Sequence, residues 1–142
     1  MPDFIDRSLN SHRLWIIARC FMASLFLGSS LFKLLDVSGS FKEMEDLGLE
    51  PVWFFSYVSA FILASGAYCI LFDQYMWLGV VTLSTYLLLS ILITHTFWNI
   101  SGLEIRHTLN FVLEHFAMIG GLMSIAIASH FRQKSKQLEV LP

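Results

Sequence analysis

Ionisable side chains lie inside strongly apolar segments of this sequence, where each needs a partner or a purpose. In the last such segment, Asn110 and Glu114 share one helical face, and His115 lies about 100° around the helix from Glu114. Glu114 is about 10 Å from the nearer end of that segment, too deep to reach water comfortably. We therefore expect Glu114 to face the protein interior. The candidate intramembrane polar site consists of Glu114, His115, His95, Lys33 and Asn110.

Two partners are compatible with a buried Glu114. Lys33 lies near the end of the first apolar segment at a slightly shallower level, so a Lys33–Glu114 ion pair is one expectation. In the other, Glu114 stays protonated and hydrogen-bonds His95 or a serine. The residue then either fixes helix register, handles a substrate, quinone or proton, or contacts a partner subunit.

Cofactor ligation has weaker support in the sequence. His95 matches Asn110 in depth, which favours a simple hydrogen bond between them. Haem is disfavoured, because His107 lies at the interface and His115 is about 8–10 Å deeper. Cys20 and Cys69 have no CxxC spacing, so we expect them to be small buried packing residues, with a redox pair as the alternative. No metal site is expected, and a quinone is the open cofactor alternative.

Arg19 lies six residues into the first apolar segment. Its side chain is expected to extend toward the membrane surface, or else to bind an anionic headgroup or a cofactor phosphate. Trp residues at segment ends are expected to be membrane-interface anchors. These are Trp15, Trp53, Trp77 and Trp98.

Small residues recur at helical spacing and predict close helix packing, since helices in lipid associate through small side chains. The glycines expected at these seams are Gly28, Gly120 and Gly121.

Four apolar runs must position all of these residues, and each is long enough to cross a bilayer. They cover residues 14–35, 52–72, 77–98 and 108–131. The 142-residue chain is 56% hydrophobic and only 14% charged, with a mean hydropathy of +0.64. The prediction is an all-α integral membrane protein, a single domain over 1–142 folded as an antiparallel four-helix bundle. A short amphipathic surface helix is expected near 40–48.

The basic residues indicate an orientation. Of the nine Lys and Arg residues, six lie near the chain ends. The other three, Lys33, Lys42 and Arg106, lie near the connectors that join the first apolar run to the second and the third to the fourth. The excess of positive charge favours cytoplasmic termini. Net charge is −2, so nothing points to a nucleic-acid partner.

The first part of the chain contains Ile17-Ala18-Arg19, Phe32-Lys33, Met44 and Leu47-Gly48 in this order. These segments resemble the opening of the DoxX family, small four-helix proteins of the bacterial inner membrane. The segment His95-Thr96-Phe97-Trp98-Asn99-Ile100-Ser101-Gly102 is similar to that of the YphA-type branch, followed by Asn110-Phe111 and Ile119-Gly120-Gly121.

This resemblance implies a multi-pass inner-membrane protein, and three classes of function are compatible with the sequence. The first is a non-catalytic subunit or scaffold of a redox or stress-response complex. The others are a quinone-linked oxidoreductase subunit and a small oligomeric transporter. The implied partners are membrane lipid and either other membrane or redox proteins or further copies of this chain.

Overall fold

The computed structural model describes residue 5, residues 11–95 and residues 103–139, without the side chains of residues 94, 95, 103–108 and 139. Within the two long ranges the chain forms five helices. They are α1 (His12–Leu35), α2 (Val37–Asp46), α3 (Val52–Phe72), α4 (Met76–His95) and α5 (Leu103–Glu139).

Helices α1, α3, α4 and α5 are each long and apolar enough to cross a membrane. This confirms the all-α bundle of membrane-spanning helices. Helix α5 has 37 residues, about 55 Å, and so exceeds a bilayer core of about 30 Å. The helix extends beyond the predicted span of 108–131 at both ends, because charged residues mark the membrane boundary without ending a helix.

The core forms mainly where α1 packs on α3 and α3 packs on α4. Its most enclosed residues are Ala23, Phe26, Leu63, Ala67, Ile70, Leu83 and Leu122. Helix α5 packs chiefly on α4, touches α1 only slightly and has no contact with α2 or α3 among the described residues. Most of the surface of α5 therefore faces outward.

The closest backbone approach lies between α3 and α4, at glycines other than those expected. A Cβ atom on Gly66 would come 2.4 Å from Leu83 Cγ, and one on Gly79 would come 3.0 Å from the Gly66 carbonyl oxygen. Only glycine fits there.

The expected glycine seams are only partly present. A Cβ at Gly28 or Gly120 would meet nothing within 4 Å, so neither glycine is at a close helix contact. Gly121 does face another helix, since its added Cβ would lie 2.7 Å from the flexible end of Met22. The spacing of small residues predicted contacts between helices, but it did not show which of these helix faces has a neighbouring helix.

Helix α2 is the expected surface helix, shifted to Val37–Asp46. Asp36 caps it by accepting a hydrogen bond from the Gly39 backbone N–H, and this bond, with one from Ser38, lowers the pKa of the Asp36 carboxyl. Ser40 hydrogen-bonds Ser56 of α3, and Met44 is buried. Helix α2 is therefore fixed to the bundle along its inner face.

Candidate functional site

Three membrane-spanning helices meet at Asp73, in the tight turn between α3 and α4. Asp73 has a φ of 58°, a left-handed conformation that Asp tolerates better than most residues. Its carboxylate accepts hydrogen bonds from Trp15 Nε1 at 3.3 Å and from Ser129 Oγ at 2.6 Å. Arg19 Nη1 lies 3.4 Å from the same carboxylate. The turn thus connects α1 and α5, which have little direct contact.

Arg19 is enclosed by the bundle, with an exposed fraction of only 8%. Its guanidinium lies 5.4 Å from the centroid of the Trp15 ring, and that of Arg132 lies 5.5 Å from the same ring. Arg19 Nε and Nη1 are buried without a hydrogen-bond partner among the described residues, so the nearby negative charge of Asp73 is their main compensation.

These contacts change two expectations. Arg19 extends toward the end of the bundle, as expected, but it stays enclosed and its charge faces the Asp73 carboxylate of the α3–α4 turn. The prediction that Trp15 is an interface anchor is wrong, since it is 9% exposed and belongs to the core. Trp53 and Trp77 are exposed at helix starts, as anchors would be, and Trp98 lies outside the described residues.

The second ion pair lies at the opposite end of the bundle, where Lys33 of α1 contacts Glu43 of α2. The predicted Lys33–Glu114 pair is therefore wrong. Lys33 is buried, whereas the Glu43 side chain is 52% exposed. Helix α2 folds back over the end of α1, and this brings Glu43, ten residues further along the chain, closer to Lys33 than Glu114 of α5.

A cavity of about 270 Å³ lies beside this pair, between α3 and α4 and under α2. Its walls are mostly apolar, with the carboxylate of Glu43 at the α2 side and the hydroxyls of Ser59, Tyr86 and Ser90 below. The apolar lining residues are Met44, Leu47, Leu49, Phe55, Val58, Ile62, Leu89 and Ile93.

The other candidate residues do not converge with Lys33. Glu114 and Asn110 are both exposed on α5, contrary to the expectation that Glu114 faces the interior. His115 is half-buried, and its Nδ1 lies 2.8 Å from the Phe111 carbonyl oxygen of the same helix. The physical reason is the position of α5, which packs at one side of the bundle and presents this face outward.

Two predicted contacts lie outside the described side chains. These are the contacts of His95 and the proposed His95–Asn110 hydrogen bond. Among the side chains that are described, no three His, Cys, Asp or Glu residues converge as metal ligands would.

The functional residue that sequence reasoning missed is Asp73. Its signal was present: an acid in a very short connector, at the same end of the bundle as Arg19.

Comparison with known proteins adds one family. The family model described as DoxX matches residues 14–96, more than half of the chain. No curated protein and no solved structure matches. The match ends before most of the 95–102 segment, so the YphA-type branch remains a prediction.

Proposed function

Because this chain belongs to the DoxX family, we propose that this multi-pass membrane protein is a non-catalytic subunit or scaffold of a redox or stress-response membrane complex. It binds a partner membrane protein through the outward face of α5. The observation that carries this proposal is the exposed carboxyl of Glu114 on a membrane-spanning helix.

An ionised side chain that faces lipid is costly, about 2.5–3.5 kcal/mol for Asp, Lys or Arg near a helix centre. Protonation reduces this cost but still leaves a hydrogen-bonding group in hydrocarbon. Within the described structure, Lys33 and Arg19 are already paired with other acids, so neither compensates Glu114. A donor on a partner helix would do so.

The shape of the same face supports a helix contact. Ala117, Gly120 and Ser124 are all exposed and follow Glu114 along α5 at spacings of three or four residues. Small side chains allow another helix to approach closely, which is the main source of association between helices in lipid. A polar group followed by a small-residue surface is typical of a subunit interface.

The interior supports a structural role. The two buried cations each face one carboxylate, and the core between the pairs is filled with apolar side chains. Paired charges of this kind fix helix positions. The described side chains of the candidate intramembrane polar site, by contrast, are divided between the end of α1 and helix α5.

In-membrane photo-crosslinking tests the proposal directly. A photoreactive amino acid at Ala117 should give a defined crosslinked protein band in the native membrane. The same residue at Val81, exposed on α4, should give lipid adducts alone. Equal protein adducts from both positions, or none from Ala117, would reject the α5 face as an interface.

We further propose that the protein lies in the bacterial inner membrane with both termini cytoplasmic, on the basis of the basic residues near the chain ends. Cysteine at Ser38, which is exposed on α2, should then react with an impermeant thiol reagent on intact cells. Cysteine at Gln137, on the exposed end of α5, should react only after the membrane is opened. The reverse pattern would invert the topology.

A further inference from the structure

We propose that the cavity under α2 binds one acyl chain of a phospholipid whose headgroup bears a primary amine, and that Glu43 recognises the amine. This site is independent of the α5 face, because it is formed by α2, α3 and α4.

The cavity has the form expected for a chain. Its volume of about 270 Å³ is near the lower limit of ligand pockets, which suits a chain segment better than a complete lipid. Val58 and Leu89 line it and are also exposed on the bundle surface, so the cavity is reached from the side where lipid lies. An acyl chain can therefore enter laterally without crossing water.

The height of the cavity places a headgroup beside α2. This helix is amphipathic and covers the end of the bundle, and Trp53 is exposed at the neighbouring start of α3. Both features mark the interface between lipid and water. A chain in the cavity would thus have its headgroup near Glu43, with the acyl chain extending toward Ile62 and Tyr86 at the deeper end.

The negative charge of Glu43 favours a lipid headgroup that carries a primary ammonium. Lys33 contacts Glu43 through Oε2, and Oε1 retains its capacity to accept hydrogen bonds. A primary ammonium can donate to Oε1 in a charge-assisted hydrogen bond. A quaternary choline has no N–H to donate, and a glycerol headgroup has no cation. The half-exposed carboxylate therefore distinguishes phosphatidylethanolamine from phosphatidylcholine and phosphatidylglycerol.

Native mass spectrometry of the purified protein tests this assignment. The protein is mixed with each of the three phospholipids, which have the same acyl chains, and the bound lipid is measured. A hydrogen bond to a charged group corresponds to about tenfold or more in affinity, so phosphatidylethanolamine should bind at least about tenfold more tightly. Equal binding of all three lipids, or no retained lipid, would overturn the proposal.

Two pairs of variants locate the site. Glu43→Gln should remove the preference for the amine, whereas Glu45→Gln, an exposed acid on the same helix, should keep it. Val58→Trp should fill the cavity and abolish binding, whereas Val81→Trp on the exposed surface of α4 should not. If Glu43→Gln fails to fold, the valine pair decides: retained binding in Val58→Trp would reject the cavity.

Discussion

Asp73→Asn should lower the free energy of unfolding by up to about 3–5 kcal/mol, the loss typical of leaving one member of a buried ion pair without its partner. The amide oxygen can still accept the hydrogen bond from Trp15, and the amide NH2 then donates to the Ser129 hydroxyl, but the amide no longer neutralises Arg19. Arg19 is 8% exposed and cannot turn to water without disturbing the packing around Trp15. Thermal unfolding in detergent measures the effect.

Two further variants distinguish the general effect of removing a negative charge from the specific loss of the Arg19–Asp73 ion pair. Asp46→Asn, at an exposed site on α2, should change stability little. Combining Asp73→Asn with Arg19→Met should recover much of the loss, because the unpaired cation is then absent. A wild-type melting temperature for Asp73→Asn alone would show that this carboxylate does not hold the three helices together.

Gly66→Ala and Gly120→Ala should change stability in opposite directions. At Gly66 the added methyl group meets Leu83, which is fully buried, and overpacking of this kind costs about 1–3 kcal/mol. At Gly120 the space is open, so alanine gains only its better helix propensity, about 0.5–1 kcal/mol. Unfolding of the two purified variants in the same detergent gives the comparison.

Destabilisation at Gly120 and tolerance at Gly66 would reverse this assignment. It would mean that α5, and not the α3–α4 contact, contains the tightest packing in the isolated protein.

The membrane-spanning architecture was predictable because it depends on composition over about 20 residues. Hydropathy located α3 within residues 52–72 and placed α1 and α4 within a few residues of their observed ends. The ends of α5 were less predictable. Polar residues at a membrane boundary continue a helix as readily as they begin a loop, and neither Gly nor Pro occurs between Arg132 and Glu139 to stop it.

The polar contacts were less predictable, because they depend on which helices are neighbours. Asp73 binds residues 54–58 positions away in the chain, and hydropathy does not encode such pairing. The expectation of a Lys33–Glu114 pair rested on the depths of the two residues in their helices, and depth does not show how the connecting helix α2 packs. Packing of Ser40 and Met44 against the bundle instead holds α2 where Glu43 contacts Lys33.

The role of Glu114 as a subunit contact is the central claim, and crosslinking from Ala117 in a Glu114→Leu background tests it most directly. Leucine suits lipid, so we expect the isolated variant to fold and melt at least as well as wild type. The protein crosslink from Ala117 should nevertheless fall about 5- to 30-fold, because an intramembrane hydrogen bond of about 1–2 kcal/mol to the partner helix is lost. An undiminished crosslink in a well-folded Glu114→Leu variant would contradict the claim.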